Sequence, residues 1–541
     1  MTKKHNNPAL GSSTGSMRLL LPIAISVILT GCQVFIDSNT STETPVVKKT
    51  GTLSAAKTDK NEKIEPAKKP KKKVIPKKPD DLWVRIQSGL SMNLDQSNAR
   101  IDAELNWYKK NNSYFTRVSK RAEPYLYFIV KEAEQRKVPL ELALMPVVES
   151  AYDAFAYSPA GASGLWQFMP ATGRHYKLHQ NWWYDGRRDV VSSTRAALDY
   201  MSSLHKRFGD WELALAAFNS GPGRVQRAVN KNKKAGKPTN FWALDLPSET
   251  TAYVPKLIAL GKIVRNPKKY DITIPSVPNK PYFAQVKTGG QLDIAKASKL
   301  ADVPLDQIYR LNPGLNRWST PPEGPHYLLV PTAKAKNFST KLAALPDNER
   351  LKWTRYTVKP GDSLLKLSKQ YRTRVDVITD VNKLESNVIR VGQTLMIPVA
   401  AKEAGSYTLS STQRLIAKQN RTVSGRYKVE YKVKSGDSFW TIARKYDVGT
   451  NELARWNNMS PRDTLRINQT LAVWRQATNK GKNVVVRKVN YKVRSGDSLA
   501  RIAGKFSVRV TEIREWNNDL DEKYIHPGDM LTLYVDVTKT F

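Results

Sequence analysis

The pattern Tyr-x-Val-x-x-Gly-Asp-Ser occurs three times in the last third of this 541-residue chain, beginning at Tyr356, Tyr431 and Tyr491. Aligned on that tyrosine, Gly361-Asp362-Ser363, Gly436-Asp437-Ser438 and Gly496-Asp497-Ser498 fall in register. Asn382, Asn457 and Asn517 each lie 26 residues beyond it. A spacing held by turn residues and apolar residues together means one small unit used repeatedly. Within a unit, an alternating segment such as Tyr431-Lys432-Val433 predicts a strand and Gly-Asp predicts a turn. Phe439, Ile442, Ala443 and Tyr446, then Leu453 and Trp456, predict two short helices, and a final apolar run predicts a second strand. The repeats are therefore expected to be βααβ modules over 355–399, 430–474 and 490–535, with 400–425 and 476–488 as linkers. A weaker copy is expected over 281–335, where Gly289-Gly290-Gln291-Leu292 replaces the turn and Leu311-Asn312-Pro313-Gly314 carries the asparagine.

The other end of the chain reads as an address. Lys3, Lys4 and Arg18 precede the apolar run Leu19 to Leu29, which is too short to span a bilayer and suits a leader segment. The run ends at Leu29-Thr30-Gly31-Cys32, and Cys32 is the single cysteine, which excludes an internal disulfide. These four residues resemble the lipobox of bacterial lipoproteins. The resemblance implies a signal peptide over 1–31, acylation of Cys32 and membrane attachment through it. With Gln33 next, it implies a position on the periplasmic side of the outer membrane. Residues 32–80 are rich in Lys and Pro, from Lys68 to Pro79 above all, and cannot bury enough apolar surface to fold; an acylated flexible tether is expected. Lys plus Arg number 88 against 48 Asp plus Glu, a net charge of +40. Such a charge suits nucleic acid, anionic lipid or an anionic polysaccharide. Export and the lack of a basic recognition helix disfavour nucleic acid.

Between tether and repeats, apolar residues at three- and four-residue spacing predict helices over 99–109, 121–136, 140–150, 191–208, 211–218 and 253–264, a mainly α domain over 82–270. Glu149 closes the third of these, behind Met145-Pro146-Val147-Val148 and ahead of Tyr152, Phe155 and Tyr157. A carboxyl among such groups loses hydration, and its pKa rises toward the range of a general acid. Pro146 conflicts with a continuous helix and predicts a kink one turn before the acid. Ser158 to Gly164 form a small-residue loop that permits close approach of a ligand, and Trp166, Phe168 and Met169 offer flat surface for sugar faces, with Gln167 among them. Asp153 is a candidate second carboxylate: were the helix to continue, its Cβ would lie about 5–6 Å from that of Glu149. If the helix ends at Ser150 instead, Asp153 points elsewhere. Asp185 and Asp189 are spare acids suited to structure or sugar contacts. No His, Cys or Asp group has metal-ligand spacing, so neither metal nor other cofactor is expected.

Residues 141 to 260 resemble the lytic murein transglycosylases of the soluble-transglycosylase, goose-lysozyme-like superfamily. Glu149-Ser150 matches their Glu-Ser pair, Gly164-Leu165-Trp166-Gln167-Phe168-Met169-Pro170 their Gly-Leu-x-Gln-x-Met-Pro loop, and Glu249-Thr250-x-x-Tyr253 their closing motif. Ala217-Phe218-Asn219-x-Gly221 matches their Ala-Tyr-Asn-x-Gly element, with Phe where Tyr is usual. The repeats resemble LysM domains, whose ligands are N-acetylglucosamine-containing glycans. The fold implied is a lysozyme-like, mainly α catalytic domain followed by small α+β LysM modules. The activity implied is cleavage of the β-1,4 bond between N-acetylmuramic acid and N-acetylglucosamine in peptidoglycan, leaving 1,6-anhydromuramyl ends. Glu149 would be catalytic, with Ser150, Ser158, Gly164, Leu165, Gln167, Phe168, Met169, Phe218, Asn219, Glu249 and Tyr253 touching substrate. Gly361, Asp362, Ser363, Asn382, Gly436, Asp437, Ser438, Asn457, Gly496, Asp497, Ser498 and Asn517 would meet glycan, or else serve only turns and helix caps. Hydrolysis of the same bond, with water activated by Glu149 or Asp153, and a non-catalytic wall-binding scaffold are the competing readings.

Overall fold

The computed structural model describes residues 79–423, 426–476, 486–517 and 525–536. The leader, Cys32 and the tether up to residue 78 lie outside the described residues. Among the described residues no helix is long and apolar enough to cross a membrane.

The head is helical from Leu82 to Arg265. Its helices begin where short polar side chains take up the first free N–H groups: Asn98 accepts from Arg100 and Ile101, Asp189 from Ser192, and Asp210 from Leu213. Gly209, at φ 70°, ends the Val190–Phe208 helix so that Trp211–Ser220 can turn back against it. That short helix is central. Leu213 through Ala217 are all buried, and the small alanines let the flanking helices approach closely. Ser248–Arg265 packs across it and is buried over most of its length.

Two expected helices are broken, each at a proline. The start of the 121–136 segment belongs to a separate helix, Ser113–Ala122, that the spacing does not predict, and Leu126–Gln135 begins only after Pro124, whose ring obstructs the preceding turn. The 140–150 segment divides into a 3₁₀ turn, Leu140–Leu144, and an α-helix, Met145–Ser150. Pro146 sits in the first turn of this second helix, where its missing N–H would have had no intrahelical partner. The expected kink is therefore a fresh helix start.

Among the described residues four βααβ units follow. Antiparallel strand pairs join Phe283 to Pro331, Lys352 to Val399, Arg426 to Gln476 and Val486 to Asp536, with two short helices between the strands of each pair. The first unit is fused to the head: Leu311 and Leu329 belong to the head core, Tyr125 donates to Arg310 O at 2.7 Å, and Arg188 Nε donates to Pro313 O at 2.9 Å. Residues 400–423, expected as a linker, are packed structure. Tyr407 is buried and its hydroxyl donates to Asp293 of the first unit, while Ser411–Gln419 forms a helix whose Gln419 donates to Asn457 of the third. Of the other expected linker, 477–485 lies outside the described residues. The last two units touch through Tyr427, whose ring stacks on Tyr534 and meets the edge of Trp516.

Each unit is locked by its asparagine. Asn457 Nδ2 donates to Leu453 O and Ala472 O, and its Oδ1 accepts from Ala472 N at 2.7 Å, pinning the second helix to the returning strand. Asn312, Asn382 and Asn517 repeat the same three bonds. Asn457→Ala strands several buried backbone groups and is expected to destabilise its unit by about 3 kcal/mol. Ser438→Ala, which removes a helix cap, is expected to cost about 1 kcal/mol. Urea unfolding followed by tryptophan fluorescence ranks the two, and a smaller loss for Asn457→Ala would contradict the locking role.

Candidate active site

The Met145–Ser150 helix stops abruptly because Ala151 and Tyr152 both take left-handed backbone, at φ 49° and 56°. Ala151 N and Tyr152 N return to the carbonyls of Val147 and Pro146, and the buried Tyr152 hydroxyl donates to Ala143 O at 2.7 Å. Glu149 thus sits on the last turn of a helix fixed at both ends. Asp153 falls beyond that end, accepts from Phe155 N at 3.0 Å, and does not line the cleft around Glu149.

Facing Glu149 is the loop 156–169. It folds on itself through Ser158, whose N–H donates to Ala162 O and whose Oγ accepts from Ala162 N, and through Gln167 Nε2, which donates to Gly164 O at 2.7 Å. Trp166 is buried and anchors the loop by donating to Thr194 Oγ1. Gly164, at φ 85°, lies so close to the next segment that a Cβ there would stand 2.3 Å from Arg187 O, so only glycine fits. Arg187 closes the arrangement: its guanidinium is paired with Asp185 and donates to Gly161 O and Phe168 O.

Loop and helices enclose a cleft of about 550 Å³. Glu149, Ser158, Gln167, Phe168, Met169, Phe218, Asn219, Glu249 and Tyr253 all line it. Phe218 packs on Phe168 and Tyr200. Asn219 Oδ1 accepts from the buried Thr250 hydroxyl at 2.8 Å, which leaves its Nδ2 to donate to a ligand. Three expected contacts are elsewhere. Ser150 Oγ donates to Leu165 O and Pro146 O behind the wall, Leu165 is core, and Gly164 is the packing point just described. Asp185 is consumed by Arg187 and Arg188, and Asp189 caps a helix while accepting from Tyr327. Tyr200, Thr172 and Lys256 line the cleft without having been singled out from sequence. Lys256 was within reach of sequence reasoning, since Glu249, Tyr253 and Lys256 share one helical face. Tyr200 comes from a distant helix that carries no local signal.

The electrostatics single out Glu149. Burial raises its carboxyl from the usual 4.5 to about 7; the 2.6 Å hydrogen bond donated by Tyr253 pulls the value down, and the charge of Glu249 pushes it up. The other buried acid of this segment, Glu141, accepts from the N–H groups of Ser91 and Met92 and is structural. Among the described residues no group of three or more His, Cys, Asp or Glu side chains could hold a metal ion.

The signature residues of the repeats each have a structural use within their own unit. Asp362, Asp437 and Asp497 each accept from the first tyrosine of the unit and from a backbone N–H in the turn. Ser363, Ser438 and Ser498 cap helices, and Gly361, Gly436 and Gly496 adopt φ near 80°, the left-handed turn that favours glycine. The asparagines, locked as above, complete the same internal frame in each unit.

Residues 127–241 match the Transglycosylase SLT domain family, 282–347 the LysM-like domain of the lytic transglycosylase MltD, and 356–398, 431–474 and 491–533 the LysM domain. The chain is 38% identical over 402 residues to the membrane-bound lytic murein transglycosylase D of Escherichia coli (strain K12), covering 72% of this chain and 85% of that protein. It is 33% identical over 173 residues to an autolysin of Enterococcus faecalis, covering 30% of this chain and 22% of that one. The 70 kDa soluble lytic transglycosylase of Escherichia coli aligns at 22% identity with a TM-score of 0.23, over 31% of each chain.

A carboxyl whose pKa is raised on folding contributes stability that is full below its unfolded value and is lost as pH rises through about 7. Glu149→Gln removes this liability. Its Tm is expected to exceed that of the parent at pH 8 and to approach it at pH 4.5; an equal shift at both would contradict the raised pKa.

Proposed function

Because the chain belongs to the membrane-bound lytic murein transglycosylase D family, enzymes that act on peptidoglycan, we propose that Glu149 alone carries both proton transfers of its reaction. Protonated at the cleft floor, Glu149 donates to the glycosidic oxygen between N-acetylmuramic acid and N-acetylglucosamine as the C1–O bond breaks. The muramyl 2-acetamido oxygen stabilises the positive C1. The Glu149 carboxylate then takes the proton of the C6 hydroxyl as that oxygen bonds to C1, giving a 1,6-anhydromuramyl end with no water consumed. The nucleophile is already part of the substrate, so the entropy of capturing a water is avoided. A pKa of about 7 suits a group that must give and take a proton in turn. Tyr253 holds the carboxylate after donation, and Asn219, Gln167 and the Phe168–Phe218 wall are assigned to sugar positioning.

The observation that carries this reading is a single desolvated carboxyl with a buried phenol as its direct partner. A second reading is favoured by Glu249, the other carboxylate of the cleft, which stands exposed at its rim and would serve a two-carboxylate hydrolase. Digestion of purified peptidoglycan separates them by mass. The parent is expected to release ends lighter by one water, with Glu149→Gln slowed by about 10³-fold and Glu249→Gln by no more than about tenfold. Reducing ends, lost equally with either variant, would establish hydrolysis. The alkaline limb of the rate should move in opposite directions: down in pH for Glu249→Gln, which removes a raising charge, and up for Tyr253→Phe, which removes a bond to the carboxylate.

The division proposed is a catalytic head over 82–270, a fused module over 281–335, and three glycan-holding modules over 355–399, 430–474 and 490–535. Linking weak binding sites raises the local concentration of strand at the cleft. Leu29-Thr30-Gly31-Cys32 followed by Gln33 supports an acylated Cys32 at the periplasmic face of the outer membrane. Cys32→Ser is expected to move the protein from the membrane to the soluble fraction and to abolish palmitate labelling; retention in the membrane would contradict the anchor.

A further inference from the structure

A second cavity, of about 990 Å³, lies where four parts of the chain meet: the 180–188 segment of the head, Asn316 and Arg317 of the fused module, residues 365–387 of the next unit, and Arg466 of the one after. Five arginines line it, Arg187, Arg188, Arg317, Arg374 and Arg466, against two aspartates, Asp185 and Asp376. The balance is uneven in depth as well as in number. Asp185 is committed to Arg187 and Arg188, and Asp376 to Arg374. Arg317 and Arg466 have no carboxylate partner among the described residues.

Arg317 is the more unusual of the two. Its guanidinium lies 4.1 Å from the centre of the Trp182 ring; among the described residues it donates only to the hydroxyls of Ser411 and Thr412, and its buried Nε has no acceptor. Burial, followed by repulsion from Arg466, pushes its pKa down to about 10; Tyr309 opposes this, and Arg374 adds a smaller push in the same direction as Arg466. Guanidinium groups gathered without counter-charge raise one another's energy, and a carboxylate placed among them relieves all of them.

The cavity and the catalytic cleft flank opposite sides of one loop. Arg187 lines the cavity while holding the carbonyls of Gly161 and Phe168, in the loop whose other side faces Glu149. Gln180, also in the cavity wall, donates to Pro170 O at the end of the same loop. A polymer bound in the cleft therefore has a basic chamber on the far side of one loop. The glycan of peptidoglycan carries short peptides with free carboxylates, and the chamber has room for several such groups.

We propose that this arginine chamber is a second substrate site that takes the carboxylates of the peptide stem while the glycan occupies the cleft. The proposal rests on the reading of the protein as acting on peptidoglycan. It makes the peptide part of what the enzyme recognises, with Arg317, Arg374 and Arg466 as the specificity-determining residues.

The test uses the full chain carrying Glu149→Gln, so that strands bind without being cut, at an ionic strength of about 0.15 M, where distant charges are screened. Three soluble glycan strands are compared by equilibrium binding: with native stems, with stem carboxyls converted to carboxamides, and with stems removed by an amidase. Native stems should bind about tenfold more tightly than the other two, the yield of one charge-assisted contact. Adding Arg374→Gln with Arg466→Gln should bring native stems to the level of the stripped strand and leave the stripped strand unchanged. Both side chains are at the exposed mouth, and if the pair lowers Tm, Arg466→Gln alone gives the same comparison. Equal affinity for the three strands, equal affinity for native and amidated stems, or a preference that survives the arginine changes would each overturn the proposal. Failure of the parent chain to bind or cleave any strand would instead overturn the peptidoglycan reading beneath it.

Discussion

Loss of hydration is the largest influence that holds the Glu149 proton near neutrality, and the head of this protein is arranged around it. Glu149 lies at a helix end that cannot fray, because two left-handed residues and the Tyr152–Ala143 bond close it. The wall opposite is a loop held down at Trp166, at Gly164 and by the Arg187 guanidinium. Tyr253 reaches the carboxyl from a third direction, on a helix buried along most of its length. Loosening any of these supports would admit water and return the acid toward its ordinary pKa. Backbone features far from the substrate therefore set the proton affinity of the group that meets it.

Much of this was legible in the sequence, for identifiable reasons. Apolar spacing located the helices, and the in-register repeat located the βααβ units, because both reflect burial periods that the chain cannot hide. Glu149 stood out because an acid among Met, Val and Tyr is unusual unless its environment is used. What was misread shares a cause as well. Ser150, Gly164 and Leu165 lie within motifs, and a motif mixes residues that touch a ligand with residues that hold those in place. Pro146 was expected as a kink, since a pattern does not register that a 3₁₀ turn can hand over to a new helix. Lys256 required only helical arithmetic from Glu249, whereas Tyr200 reaches the cleft through tertiary packing alone.

The segment 400–423 was hidden for a different reason. Nine of its 24 residues are apolar, but four of those are alanine, which buries little surface. It is held by particular polar bonds, from Ala401 N and Tyr407 to Asp293, and from Arg317 to Ser411 and Thr412, with Arg414 lying over the Phe155 ring. Composition reports how much apolar surface a segment can bury. It does not report whether a neighbour offers buried acceptors to a few of its donors. The head, the fused unit and the next two modules are accordingly in contact through this strap, and the arginine-lined cavity exists only because they are.

The asparagine that locks each βααβ unit has a bearing on how such a chain can change over time. All four units make the same three bonds from the same position, yet the first lacks the Gly-Asp turn that marks the others. Since the residues that specify the fold face inward and are fully satisfied, the outer surfaces are under no obligation to remain alike. Such a unit is free to meet a new partner, or to pack into a neighbouring domain as the first does, while one amide keeps its architecture.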